Sequence, residues 1–142
     1  DYLDVVALVS PIGIFFGRIA NFINSELYGK ETSLPWGVQF IQVDNLFRHP
    51  SQIYEAILEG IILFLILVFL WRREKFKVRG KLSSIFLILY SIFRFFIEYL
   101  RVPDEQVGYL ILHLTMGQLI SFIFFIIGLS LYYFIHDNKK KT

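Results

Sequence analysis

Three stretches of this sequence, residues 53–71, 82–100 and 115–135, approach or reach the roughly 20 apolar residues needed to cross a hydrocarbon core. A fourth, residues 5–22, is apolar but interrupted by Pro11, Gly13, Gly17 and Arg18. Segments of this kind leave few options, because in lipid every backbone donor and acceptor must be satisfied within the protein. Alternating strand patterns are absent, so the spans are expected to be helices. The residues are 56% hydrophobic and 18% aromatic, too apolar for an ordinary soluble domain. The expected fold is all-α, a polytopic membrane helix bundle of about four transmembrane segments forming a single membrane domain over residues 1–142.

Charge placement says more than the net charge of +2. Residues 72–81 carry Arg72, Arg73, Lys75, Lys77, Arg79 and Lys81 against a single Glu74, and the tail adds Lys139, Lys140 and Lys141. By the positive-inside rule the 72–81 loop and the 136–142 tail are expected on the cytoplasmic side. The 23–50 loop then lies on the outer face. A basic run between two spans reads as a topology signal rather than a nucleic-acid site, so no nucleic acid is expected as a partner. The chain has no cysteine, which excludes a disulfide, a zinc–thiolate site or a thiol nucleophile of its own. It begins with Asp1, and no signal-peptide pattern precedes the first span. The expectation is a piece of a longer protein.

Pro50 suits the first turn of the second helix, where its missing amide hydrogen costs nothing. Gly80 lies just before the third helix, and Pro103 ends that helix's extension with Asp104 and Glu105 behind it. The 23–50 loop holds Pro35, Gly37 and Asp44 among short apolar runs, and is expected to be ordered around a short strand pair or a re-entrant piece.

The informative residues are polar ones at membrane depth, where a charge costs several kcal/mol and normally faces a partner or a watery cavity. Gly17-Arg18-Ile19-Ala20-Asn21-Phe22-Ile23-Asn24-Ser25-Glu26-Leu27-Tyr28-Gly29 packs an arginine, two amides and a carboxylate into one end of the first span. Arg18 offers a planar, permanently charged fork suited to phosphate oxygens. Its alternative is an arginine snorkelling to the interface. Gly17 would let a backbone or headgroup approach, and Gly29 would permit a sharp turn. Arg94, Glu98 and Arg101 share a helix face at i, i+4 and i+7. Arg94 and Glu98 are expected to pair inside the bundle, leaving Arg101, level with the first cluster, for ligand contact. In a third cluster, Gln52, Glu55 and Glu59 share a face after Arg48-His49-Pro50-Ser51. His49 could act as a base, although a lone loop histidine is more often a hydrogen-bonding residue. Gln118 is placed to hydrogen-bond between helices. Under the assigned topology all three clusters meet on the outer side, and a doubly cationic pocket open to lipid there suits an anionic phospholipid headgroup.

The first cluster resembles the signature of the prolipoprotein diacylglyceryl transferase family, with Ala20 where glycine is more usual. Arg48-His49-Pro50-Ser51-Gln52-Ile53-Tyr54-Glu55, Phe93-Arg94-Phe95-Phe96-Ile97-Glu98, Arg101-Val102-Pro103-Asp104 and Met116-Gly117-Gln118 resemble further family segments in the right order. The likeness covers almost the whole chain but only the C-terminal half of a seven-span family. A tyrosine and a histidine of the family site would lie in the other half. The resemblance implies a transferase of the bacterial cytoplasmic (inner) membrane. It would move the diacylglyceryl group of phosphatidylglycerol to the lipobox cysteine of a preprolipoprotein, without metal or other cofactor. Arg18, Asn21, Glu26 and Arg101 would then be catalytic. Asn24, Gly29, Glu98 and His49 would join Arg18 and Arg101 in binding substrate. The rivals fare worse. A CDP-alcohol transferase needs a metal-binding aspartate cluster, whereas Asp1, Asp4, Asp44, Asp104 and Asp137 are scattered. An intramembrane serine protease needs a Gly-x-Ser-x-Gly-like setting, which is absent. A channel or transporter fragment gated by Arg94–Glu98 predicts polar residues spread along a path through the membrane.

Overall fold

The computed structural model describes residues 2–103, 109 and 113–140; Asp1, Asp104, Glu105 and Lys141 lie outside the described residues. The first apolar stretch forms one helix, α1 (Tyr2–Ile23), which runs unbroken through Pro11. The second is a continuous span, Ser51–Trp71, built from α2 (Ser51–Glu55), a π-helical segment (Ala56–Ile62) and α3 (Leu63–Trp71). α4 (Lys81–Ile97) closes in a 3-10 turn, Glu98–Leu100, and α5 is Met116–Lys140. All four spans are long and apolar enough to cross a membrane, so the chain is a multi-pass helical membrane protein. Pro50 occupies the position before the first helical residue rather than the first turn. Residues 136–140, expected as tail, continue α5.

The 24–50 loop contains a strand pair, β1 (Val38–Gln39) antiparallel to β2 (Phe47–Arg48), in register Val38 to Arg48. Arg48 holds this loop together. It pairs with Asp44 at 2.6 Å, donates to the Gly29 carbonyl at 3.2 Å and lies over the Tyr28 ring.

Close approaches occur where side chains are small. A Cβ on Gly60 would lie 2.8 Å from Phe15 Cβ, so α1 presses directly on the π-helical segment. Gly128 does the same for α5 against Leu87 and Ile88 of α4. Gly17, by contrast, has no heavy atom within 4 Å of its Cβ position among the described residues. At the end of the bundle near residues 72–80, Leu63, Leu67 and Leu82 form a fully buried apolar core. There Asp4 of α1 caps α4 from outside, accepting from the Gly80 and Ser83 amides at 2.8 Å each and from the Ser83 hydroxyl at 2.7 Å.

Candidate active site

The other end of the bundle is assembled from helix termini. α1 stops in a Schellman arrangement: Ser25 takes a left-handed conformation (φ 56°), its amide donates to Phe22 O, and the Glu26 amide donates to Asn21 O at 2.9 Å. This reversal folds Glu26 back over the helix it has just left. Asn21 Nδ2 donates to Glu26 Oε2 at 3.1 Å, and Arg18 Nη1 donates to Asn21 Oδ1 at 3.4 Å. The spacing of arginine, amide and carboxylate in the 17–29 motif thus encodes one hydrogen-bonded chain. The second span clamps it from below, as buried Gln52 donates to Glu26 O at 2.7 Å and Ser51 to Leu27 O.

Gly29 is not in a turn, the role suggested by its sequence. It lies extended between two backbones: its amide donates to His49 O at 3.1 Å, and on the other side it pairs with Arg101 through Lys30 N donating to Leu100 O at 2.8 Å and Val102 N donating to Tyr28 O at 3.3 Å. A Cβ there would collide with His49 O and His49 Cβ and sit 2.9 Å from Leu100 O. Only glycine lets these three segments lie side by side, and their alignment sets where Arg101 emerges.

Glu55 is the hub. Fully buried at the foot of α2, it meets Arg18 Nε at 2.6 Å through Oε2. Through Oε1 it meets Arg94 Nη1 at 2.8 Å and Arg101 Nε at 3.6 Å. The Arg94 contact is a directed hydrogen bond; those of Arg18 and Arg101 are charge contacts without hydrogen-bond alignment. The expected Arg94–Glu98 pair forms at 3.3 Å, and Arg101 also reaches Glu98 at 3.3 Å. Arg94 is therefore no isolated structural pair: it bridges both carboxylates that hold Arg101.

Glu98 is fixed in turn by the start of α5. Thr115 and Gln118 form a capping box, with Gln118 N donating to Thr115 Oγ1 at 3.3 Å and Thr115 N to Gln118 Oε1 at 3.1 Å. The Thr115 hydroxyl then donates to Glu98 Oε1 at 3.2 Å. A Cβ on Gly117 would lie 2.9 Å from that same oxygen, so glycine makes room for the carboxylate at a helix N-terminus, where negative charge is favoured. Gln118 also donates across to Phe95 O at 3.3 Å, the interhelical bond expected of it.

Of the residues singled out from sequence, Arg18, Asn21, Glu26, Glu98 and Arg101 converge here. Asn24 does not: it is exposed and its side chain makes no hydrogen bond among the described residues. His49 stands apart in the loop layer. Trp36 Nε1 donates to Tyr54 Oη at 2.7 Å, and Tyr54 Oη meets His49 Nδ1 at 3.1 Å. Because indole can only donate, Tyr54 Oη accepts from Trp36 and shares its remaining hydrogen-bonding capacity with His49 Nδ1. Glu55 was visible in sequence only as a member of a helix face; its role as hub needed three helices in place. The capping box was legible as Thr-x-x-Gln and was missed.

Three arginines stand against two carboxylates in direct contact with them, Glu55 and Glu98. Arg18 is the most open of the three, 17% exposed against 15% for Arg94 and 8% for Arg101. Its guanidinium has N–H groups beyond those given to Glu55 and Asn21. The polar groups gather at one end while Leu63, Leu67 and Leu82 close the other, so the path expected of a channel is not found among the described residues.

Fold and site define a polytopic helical membrane protein with a buried, arginine-rich cluster at one end of its bundle. The chain belongs to the prolipoprotein diacylglyceryl transferase family, whose pattern matches residues 1–134. It is 45% identical over 139 residues to a protein of Campylobacter lari, covering 98% of this chain and 49% of that protein. It is 50% identical over 129 residues to one of Rickettsia bellii, covering 90% and 49%, and 51% identical over 132 residues to one of Ehrlichia ruminantium, covering 91% and 51%. All three relatives are named phosphatidylglycerol–prolipoprotein diacylglyceryl transferase. The chain spans about half the length of the curated relatives it matches.

Proposed function

We propose that this chain supplies the headgroup-binding half of an enzyme that transfers the diacylglyceryl group from phosphatidylglycerol to the lipobox cysteine thiol of a preprolipoprotein. The observation that carries this reading is the excess of arginines over directly paired carboxylates at the loop end of the bundle, with Arg18 the most accessible. In the reaction, the substrate sulfur bonds to the glyceryl carbon as that carbon's bond to a phosphate oxygen breaks. The electron pair stays on the departing glycerol 1-phosphate, and the thiol proton goes to a base in the other half of the family sequence. Negative charge grows on the phosphate, so fixed cations aimed at it stabilise the transition state more than the ground state.

In this reading Arg18 grips the phosphate and Arg101 is the second cation, with Arg94 adding to the same field through Glu55. Asn21 and Glu26 hold the Arg18 fork in plane. Asn24, exposed at the helix end, faces the glycerol headgroup. Gly29 and Glu98 act by placing Arg101, and His49 borders the entry. The basic 72–81 connection favours a cytoplasmic location, which puts the cluster at the outer face of the bacterial cytoplasmic membrane, where translocated substrate arrives.

Arg18→Lys tests the assignment in an enzyme carrying both halves of the family sequence. Lysine keeps the charge and loses the planar fork. Transfer to a lipobox peptide should fall roughly 30- to 1000-fold at equal protein abundance, the equivalent of about 2–4 kcal/mol of transition-state stabilisation. Near-normal turnover would remove Arg18 from the phosphate.

A further inference from the structure

One carboxyl of the charged end is left out of the ion pairing. Glu59 sits on the π-helical segment, one turn beyond Glu55, and is fully buried. Neither of its oxygens has a hydrogen-bond partner among the described residues. A buried carboxyl normally finds a donor, so this one stands out. It still belongs to the cluster electrostatically. Arg18 acts on it from α1, Glu55 from α2, Arg94 and Tyr90 from α4, and Arg101 from just beyond α4.

Formal charges give this arrangement a consequence. Arg18, Arg94 and Arg101 carry three positive charges, and Glu55 and Glu98 supply two negative ones through direct contacts. An ionised Glu59 balances the third arginine at a distance. An anionic phosphodiester arriving at Arg18 balances the same charge, and the cluster would then hold one negative charge too many in a low-dielectric setting.

We propose that Glu59 is a positioning residue that takes a proton from solvent when an anionic headgroup binds the arginines and returns it when that anion leaves. The inference rests on the headgroup reading of the site. Proton uptake coupled to binding weakens the complex as pH rises, by up to about tenfold per pH unit for one proton. The phosphodiester itself keeps a single charge throughout, so the dependence arises in the protein.

The experiment is calorimetric titration of the complete enzyme in nanodiscs with a short-chain phosphatidylglycerol, in two buffers of different ionisation enthalpy. Wild type should take up protons on binding, at most one per headgroup and more as pH rises, and Glu59→Gln none, with a KM for phosphatidylglycerol that no longer rises with pH. Should the amide not accumulate, Glu59→Leu suits the apolar surroundings and predicts the same loss. Tyr90→Phe and His49→Asn should keep the uptake. Saturable binding without uptake in wild type, or equal uptake in the Glu59 variants, overturns the proposal. Binding that is unaffected by Arg18→Lys would instead overturn the headgroup reading, whatever the proton count.

Discussion

Where Leu63, Leu67 and Leu82 meet, no ion pair among the described residues holds the helices together, whereas roughly two turns earlier on the same span Glu55 gathers three arginines from two other helices and the segment beyond α4. The apolar end is what packing alone can do: leucines interdigitate, and Asp4 caps α4 from a neighbouring helix. The charged end works differently. Lipid gives apolar side chains little reason to prefer one another, so polar contacts fix geometry there at the expense of desolvating every ion. The ion pairs that set this geometry leave more cations than directly paired anions, an arrangement suited to receiving an anion. On the proposed reading both ends hold helices together, and the charged end also receives a ligand.

The largest effect should follow from removing the hub. Glu55→Ala leaves Arg18, Arg94 and Arg101 facing one another without their shared anion, which costs about 3–5 kcal/mol. Transfer activity should vanish, and the melting temperature of the purified enzyme in detergent should drop. A variant with normal melting would show that the ion pairs do not hold the charged end together. Next comes the contrasting substitution at the other end. Leu67→Ala opens a cavity in the dry core and should cost about 2–4 kcal/mol of stability. Turnover per folded molecule should be preserved, because the leucine lies away from every charged group of the site. An equal loss of turnover would mean the two ends are not separable.

Helix caps sharpen the comparison further, since each end has one. Asp4→Ala and Thr115→Ala should each cost about 1 kcal/mol in thermal unfolding. Only Thr115→Ala should also lower transfer, since it removes a donor from Glu98. If both leave turnover unchanged, Glu98 needs no anchoring. The smallest effect belongs to the loop. The Arg48 hydrogen bond beside Asp44 holds that carboxyl below the usual carboxylate range. A depressed folded-state value means the contribution is present above the unfolded value, about 4, and is lost as pH falls through the folded one. Trp36 fluorescence, reporting the loop through its bond to Tyr54, should therefore stay constant at neutral pH and change only in strong acid. Asp44→Asn should abolish that acid transition.

These contrasts also explain what could be read from the chain beforehand. Spans are set by local composition, so the four helices were legible to within a few residues, apart from α5 continuing through His136 and Asp137. The 17–29 motif pointed to a site because its residues interact within one helix end. The hub was illegible for the opposite reason: Glu55 acquires meaning only when α1 and α4 bring Arg18 and Arg94 to it, and helix spacing says nothing about contacts between helices. Gly29 shows the same limit. Its residue type suggested a turn, whereas the constraint is the passage of a backbone between His49 and Leu100.

The central claim is that the arginines around Glu55 exist to meet a phosphate. A structure of the complete enzyme with phosphatidylglycerol bound tests it most directly. The account predicts a phosphate oxygen about 3 Å from an Arg18 guanidinium nitrogen, with Arg101 on the same headgroup. A phosphate seated elsewhere, with Arg18 still paired only to Glu55 and Asn21, would contradict it.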